Sequence, residues 1–231
     1  VYPYESRRDI PVKVSVSDLK KRSYHEETDF EEAVYFEPDI VPLIPRFVEE
    51  KKEEGGEFTG SARGTAYHRV MECIEYNKTD SAEQLKEQLH SLVQNKKMTA
   101  AEAECVRISD IRAFVECDLG QRMKKAAVEG RLFREQPFVI SRSAAEIEET
   151  WDPQERVLVQ GIIDAYFLEE DEIILVDYKT DRVRRNEEQM LIDRYHTQLE
   201  DYAQALQRMT GRKVKEKYIY SFTLKKAILL S

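Results

Sequence analysis

Asp164, Asp177 and Lys179 are charged residues in a part of the sequence that is otherwise apolar. Two runs rich in Val, Ile, Leu, Tyr and Phe flank a wholly acidic tetrapeptide, a pattern that predicts a β-hairpin. If the turn is centred between Glu170 and Asp171, Asp164 and Asp177 lie opposite each other, with Cβ atoms about 5 Å apart. Lys179 then projects from the same face as Asp177, because side chains alternate along a strand.

Two opposed carboxylates require compensation, because like charges directly opposite each other destabilise a sheet. Lys179 can offset one charge, and a hard divalent cation held by oxygen ligands is the natural partner for both. The alternative is a solvated hairpin whose aspartates face water. Residues 173–176 are apolar at every position, which indicates a buried strand rather than an open ribbon.

Five short motifs occur in order along the chain: SARGTAYHRV, REQPF, GIID, DYKTD and QLEDYA. Together they resemble the PD-(D/E)XK nuclease superfamily, and in particular the RecB-type domains of the AddA family, which form the C-terminal part of bacterial helicase–nucleases. The likeness extends from about Pro11 onward. It implies a restriction-endonuclease-like α/β core, with a mixed central β-sheet flanked by helices and an N-terminal helical annex.

The same resemblance implies a metal site. It gives His68, Asp164, Asp177 and the main-chain carbonyl of Tyr178 as ligands of Mg²⁺ or Mn²⁺, which would activate an attacking water. Lys179 would place or activate that water and stabilise developing negative charge. For His68 the alternative is an ordinary surface or core histidine on a helix.

Three further residues are candidates for the active site through the resemblance. Gln198 and Tyr202 are four residues apart on a predicted helix and share a face, from which they would orient the nucleophile or the DNA. Glu135 matches a family glutamate near the active site. The alternatives are a core aromatic with a wet hydroxyl for Tyr202 and an ordinary strand-surface carboxylate for Glu135.

Hydrophobic periodicity predicts the elements that position these residues. Helices are predicted over 61–77, 81–96, 99–117, 118–128 and 190–209. Ser81 and Gln84 indicate a capping box. The last helix packs through Tyr195, Leu199, Tyr202, Ala203 and Leu206. Besides the hairpin, strands are predicted over 13–16, 131–141, 213–224 and 225–230. An extended connector is predicted over 26–45. The predicted domains are a connector and N-terminal segment (1–60) and a nuclease domain (61–231) with a helical part (61–130) and a sheet core (131–231).

Composition limits the function classes. The chain has 231 residues, a length sufficient for one domain with an annex, and its net charge is −9. It contains no apolar run long enough to cross a bilayer. Its three cysteines are an odd number without CxxC spacing, which favours reduced thiols and argues against a structural zinc site. Three are also too few for the four-cysteine iron–sulfur cluster of some RecB-type relatives.

Net acidity counts mildly against nucleic-acid binding, because phosphate contacts supply most of the affinity. A basic loop at 180–185 directly follows Lys179, a position suited to contact with phosphates. The alternative is that the loop is only solvated. A second basic run at 122–125 predicts a modest basic patch, and more commonly such a run is only a solvated face.

The predicted function is metal-dependent hydrolysis of DNA, as the exonuclease domain of a helicase–nuclease that processes double-strand ends for recombinational repair. The resemblance implies a bacterial, nucleoid-associated cytoplasmic protein whose partners are a DNA strand threaded into the site, the helicase portion of the parent chain and an AddB-like subunit. The first residue is not Met, which favours a segment of a longer polypeptide, and no nucleotide-binding phosphate loop occurs. The alternatives are a free-standing RecB-like exonuclease and an inactive DNA-binding or scaffolding module.

Overall fold

The computed structural model describes residues 10–16, 18–19 and 60–230. The connector predicted over 26–45 lies outside the described residues. Within them, a six-stranded mixed β-sheet carries helices on both faces, which confirms the predicted α/β fold class.

The elements follow the sequence pattern in type and order, but two predicted helices are not continuous. The helix predicted over 61–77 ends at Cys73, and Tyr76–Lys78 form a separate 3-10 turn. The helices are α1 (Gly60–Cys73), α2 (Ala82–Gln94), α3 (Ala100–Cys105), α4 (Ile108–Glu116), α5 (Asp118–Val128) and α6 (Glu188–Thr210). The strands are β1 (Lys13–Ser15), β2 (Leu132–Ser143), β3 (Arg156–Glu169), β4 (Glu172–Lys179), β5 (Val214–Ser221) and β6 (Lys226–Leu230). The capping box at Ser81 is confirmed, since its side chain accepts a hydrogen bond from the N–H of Gln84. The prediction of a single helix over 99–117 is wrong. The backbone is extended at Val106, whose side chain is buried, and at Arg107, so that two helices, α3 and α4, form instead.

The sheet has the strand order β1-β3-β4-β5-β6, and β2 also pairs with β3. The β2–β3, β3–β4 and β5–β6 pairs are antiparallel, whereas β1–β3 and β4–β5 are parallel. Helix α6 connects the parallel strands β4 and β5. Strand β1 comes from the predicted N-terminal segment, so that segment contributes to the sheet, and the domain limits stay a prediction.

Strand β4 lies between two hydrophobic cores. Ile173 and Leu175 pack with α6 on one face, and Ile174 and Val176 pack with the annex helices α1, α4 and α5 on the other. All four side chains are fully buried, which confirms the predicted buried strand.

The β3–β4 hairpin has the predicted register. Tyr166 pairs with Leu175, and Leu168 pairs with Ile173. The two turn residues, Glu170 and Asp171, both have positive φ (48° and 70°), the conformation of a type I′ turn. The ladder ends at the pair formed by Ala165 and Val176, one pair before Asp164 and Asp177.

Candidate active site

The regular alternation of side chains between the two faces of the sheet is interrupted at Glu135 in β2 and at Asp164 in β3. These residues oppose each other in the register but form no ladder pair, and Glu135 has a φ of 48°. Before the change, Ile163 packs on the α6 side; after it, Tyr166 does so and Ala165 turns toward the annex. A left-handed conformation is uncommon for a non-glycine residue, and here it accompanies the change of face. As a result, both carboxylates lie at an interruption in the ladder.

The carboxylate of Asp164 is held on two sides. Its Oδ1 lies 3.2 Å from Nδ1 of His68, and its Oδ2 accepts a hydrogen bond of 2.8 Å from the N–H of Tyr178. Nε2 of His68 lies 2.9 Å from the carbonyl oxygen of Tyr178. His68, Glu135 and Asp164 each place one ligand-type atom within 4.8 Å of the others. We call these three side chains and the Tyr178 carbonyl the acidic group.

The electrostatics of the acidic group oppose ionisation of Glu135 and favour ionisation of Asp164. Burial, and next the Asp164 carboxylate, raise the pKa of Glu135 to about 7. Burial also opposes ionisation of Asp164, but His68, Lys179 and the N–H of Tyr178 outweigh it and lower the pKa of that carboxyl. Two carboxylates, one imidazole and one carbonyl form a donor set that fits a divalent cation.

A second cluster lies on the α6 side of β4. Nζ of Lys179 lies 2.9 Å from Oδ2 of Asp177, and these side chains are only 8% and 1% exposed. Nε2 of Gln198 lies 3.5 Å from Oδ1 of Asp177 and donates a 2.9 Å hydrogen bond to the hydroxyl of Tyr202. We call these four residues the lysine group. Gln198 and Tyr202 share a buried face of α6, as their spacing predicted.

Tyr195 supports the lysine group from one helical turn earlier on α6. Nζ of Lys179 lies 4.3 Å from the centroid of the Tyr195 ring, a cation–π contact. The Tyr195 hydroxyl donates to Asp181, and Arg194 donates to the same carboxylate at 2.8 Å. From hydrophobic periodicity, Tyr195 was predicted only to belong to the packed face of α6. Its spacing of three residues from Gln198 could have indicated that it lies beside the site.

Gly161, the first residue of the GIID motif, makes room for an aromatic ring. A Cβ atom at this position would lie 2.8 Å from the ring of Phe138. Phe138 in turn contacts Tyr202 in an edge-on arrangement, with ring centroids 5.7 Å apart. The glycine therefore allows Phe138 to pack under the lysine group.

The structure brings most of the candidate residues together, in two clusters rather than one. His68, Asp164 and the Tyr178 carbonyl meet as expected, and Glu135 joins them. Across residues 60–230, the group of potential ligands within 4.8 Å does not include Asp177, which contacts Lys179. The predicted direct opposition of Asp164 and Asp177 is wrong, because the two residues form no ladder pair. The Asp164 carboxylate instead accepts a hydrogen bond from the N–H of Tyr178. The catalytic and metal-binding roles of these residues stay predictions.

Comparison with known proteins identifies the class to which this fold and site belong. Residues 46–228 match the PD-(D/E)XK nuclease superfamily, and the chain belongs to that family. It is similar to an ATP-dependent helicase/nuclease subunit of Clostridium beijerinckii, with 38% identity over 98% of this chain and 18% of that protein. The corresponding helicase/nuclease subunit of Alkaliphilus oremlandii is 37% identical over 99% of this chain and 18% of that protein. The predicted resemblance is therefore confirmed.

The chain spans less than a fifth of the length of these relatives. In the part that the structure describes, no helix combines the length and apolar character needed to span a membrane.

Proposed function

We propose that this chain is the nuclease domain of a helicase–nuclease and hydrolyses DNA phosphodiester bonds as a Mg²⁺- or Mn²⁺-dependent exonuclease. The observation that carries the proposal is that the acidic group and the lysine group meet at three consecutive residues of β4, Asp177, Tyr178 and Lys179. Membership of a nuclease superfamily supports the chemistry. The name of the relatives supports a parent protein that combines helicase and nuclease functions.

The acidic group would hold the divalent ion, with Asp177 as an additional carboxylate. The fit rests on the donor set, and it is supported by the pKa of Glu135, which burial and then the neighbouring Asp164 carboxylate raise. When bound, such an ion polarises a phosphate oxygen and lowers the pKa of a bound water. Without the ion, the two ring nitrogens of His68 lie within hydrogen-bond distance of the Tyr178 carbonyl and Asp164, and these contacts keep the ring at the site.

The lysine group would orient the nucleophile and stabilise charge. Lys179 is fixed between Asp177 and the Tyr195 ring, so its ammonium can stabilise negative charge that develops on the phosphate oxygens. Gln198 donates to Asp177 and Tyr202, and its buried Oε1 has no hydrogen-bond partner in the described part of the chain. That oxygen can accept a hydrogen bond from the attacking water.

The remaining parts of the proposal concern the parent protein. A single DNA strand would be threaded into the site, the helicase portion would lie elsewhere in the longer chain, and an AddB-like subunit would complete a heterodimer. The proposed setting is the processing of double-strand ends for recombinational repair at the bacterial nucleoid. The names of the two relatives support the helicase portion, and the other statements rest on the resemblance of the five motifs.

The test is cleavage of end-labelled DNA by the Asp164→Asn and Asp177→Asn variants with Mg²⁺, Mn²⁺ or EDTA. We expect each variant to lose at least about 10²-fold in rate, because each removes a carboxylate that would hold the divalent ion. Asp193→Asn, at an exposed carboxylate on α6, is the matched control and should cut normally.

Undiminished cleavage in both site variants would refute the assignment. An unmodified protein that binds DNA but neither binds Mn²⁺ in calorimetry nor cuts DNA would be an inactive binding module instead.

A further inference from the structure

The segment between β4 and α6 carries three exposed arginines. Arg182, Arg184 and Arg185 are all exposed, and none forms an ion pair with a residue in the described ranges. They follow directly on Lys179, the last residue of β4. We call residues 180–187 the arginine loop.

The arginine loop is anchored from within. Asp181 accepts hydrogen bonds from Arg194 and Tyr195 at 2.8 and 2.9 Å, and Val183 is buried in the core beneath α6. The N–H of Arg184 donates to the Glu187 carboxylate at 2.8 Å. Because Asp181 and Val183 are turned inward, the arginines between and after them project outward from a fixed backbone.

The carboxylates within the arginine loop and next to it in the sequence have other partners. Asp181 is held by Arg194 and Tyr195, and Glu187 accepts a main-chain N–H. Glu188, at the start of α6, pairs with Lys226 at 2.8 Å. The three guanidinium groups are therefore not neutralised by their sequence neighbours, although the chain as a whole has a net charge of −9.

The arginine loop is also linked directly to the candidate active site. Tyr195 contacts the Lys179 ammonium with its ring and holds Asp181 with its hydroxyl. Arg182 is three residues from Lys179, a separation of at most about 10 Å along extended chain. A strand whose scissile phosphate lies at Lys179 would bring neighbouring phosphates within reach of these side chains.

We infer that Arg182, Arg184 and Arg185 bind the phosphodiester backbone of the strand being cut, at nucleotides next to the scissile bond. The inference rests on the proposed nuclease function and adds the surface that holds its substrate. Planar guanidinium groups match phosphate oxygens in a bidentate geometry and read no sequence. This local positive surface explains how an acidic chain can hold a polyanion.

The test is the triple variant R182Q/R184Q/R185Q, compared with the unmodified protein. Binding of a fluorescent single-stranded oligodeoxythymidine is measured by anisotropy in EDTA at a series of salt concentrations. We expect the variant to bind about tenfold or more weakly at low salt. Its slope of log K against log salt should be less negative by about 2, because each phosphate contact on a single strand contributes about 0.7.

The matched control removes three positive charges elsewhere. Lys86, Lys96 and Lys97 are exposed on α2 and the turn after it, and K86Q/K96Q/K97Q should leave the salt slope nearly unchanged. With Mg²⁺ or Mn²⁺ present, kcat/KM for cleavage should fall in R182Q/R184Q/R185Q by about the same factor as the affinity.

Equal binding by the unmodified protein and R182Q/R184Q/R185Q, or an equal loss in both triple variants, would overturn the inference. The result is independent of the nuclease proposal, because binding is measured without cleavage. A protein that cuts DNA but shows no effect of the arginine substitutions would keep the nuclease function and lose only this surface. A protein that does not cut, whatever the substitutions do to binding, would lose the nuclease function.

Discussion

The two halves of the candidate site differ in exposure and in charge balance. In the acidic group, the side chains of His68 and Asp164 are 26% and 12% exposed, and burial with a neighbouring carboxylate raises the pKa of Glu135 to about 7. In the lysine group, Asp177 and Lys179 are almost fully buried and neutralise each other. One half therefore disfavours a second ionised carboxylate, and the other pairs its opposite charges within the chain.

This difference suits the two halves to the different roles proposed for them, metal binding for the acidic group and charge stabilisation for the lysine group. The lysine group can be preorganised by folding alone, since its ammonium, carboxylate and amide hold one another in the core. The acidic group is more accessible to solvent, and its donors are those that a divalent ion prefers. The three predictions that follow test whether the halves respond differently to substitution.

The largest effect is expected for Lys179→Met. It should lower the cleavage rate by about 10²–10³-fold, because the charge that stabilises the transition state is lost. It should also lower the free energy of unfolding by about 3–5 kcal/mol, because the buried Asp177 carboxylate loses its ion-pair partner. The measurements are cleavage kinetics and urea denaturation.

The control is the double variant Asp177→Asn/Lys179→Met, which removes both charges. It should regain much of the stability of the unmodified protein and none of its activity. A single variant as stable as the double variant would show that the lysine group is not a buried ion pair.

A smaller effect, of opposite sign on stability, is expected for Glu135→Gln. The raised pKa means that folding favours the protonated Glu135, so the unmodified metal-free protein loses stability as pH rises from the ordinary glutamate value to about 7. Glu135→Gln should remove this pH dependence and raise the melting temperature near neutral pH. It should also weaken Mn²⁺ binding by about tenfold or more, since one ligand is lost.

Calorimetry with Mn²⁺ and melting curves from acidic to neutral pH measure the two effects. Glu116→Gln, at an exposed i,i+4 ion pair on α4, should change neither. A Glu135→Gln protein that binds Mn²⁺ normally would remove Glu135 from the acidic group.

The smallest effect is expected at Tyr195. Tyr195→Leu removes the ring beneath Lys179 and should lower kcat by about tenfold, because a desolvated cation–π contact contributes about 1–2 kcal/mol. Tyr195→Phe keeps the ring and should retain most of kcat. Equal losses in the two variants would show that the hydroxyl bond to Asp181 matters more than the ring.

Much of this architecture could be predicted because its signals are local. The acidic turn between apolar runs predicted the hairpin and its register, and the spacing of Gln198 and Tyr202 placed both on one face of α6. The five motifs predicted the family. Each of these inferences depends on residues close together in the sequence, where periodicity and turn chemistry are reliable guides.

The features that were missed depend on contacts between distant segments. Strict alternation placed Asp164 opposite Asp177, and nothing near Glu135 indicated that its left-handed conformation would accompany a change of face in both strands. Arg122 is another case. The run at 122–125 predicted a basic patch or a solvated face, but Arg122 binds Glu169 and Glu216 on the sheet.

The main chain of Tyr178 serves the acidic group through its N–H and its carbonyl, while its side chain is buried in the annex core. The geometry of the candidate site therefore depends on how β4 pairs with its neighbouring strands more than on which side chain occupies position 178. A shift of β4 by one residue would turn Lys179 toward the annex and Tyr178 toward α6, because alternate residues exchange faces. The pairing of β4 with its neighbouring strands, which separates the two hydrophobic cores, therefore also sets the relative positions of the acidic group and the lysine group.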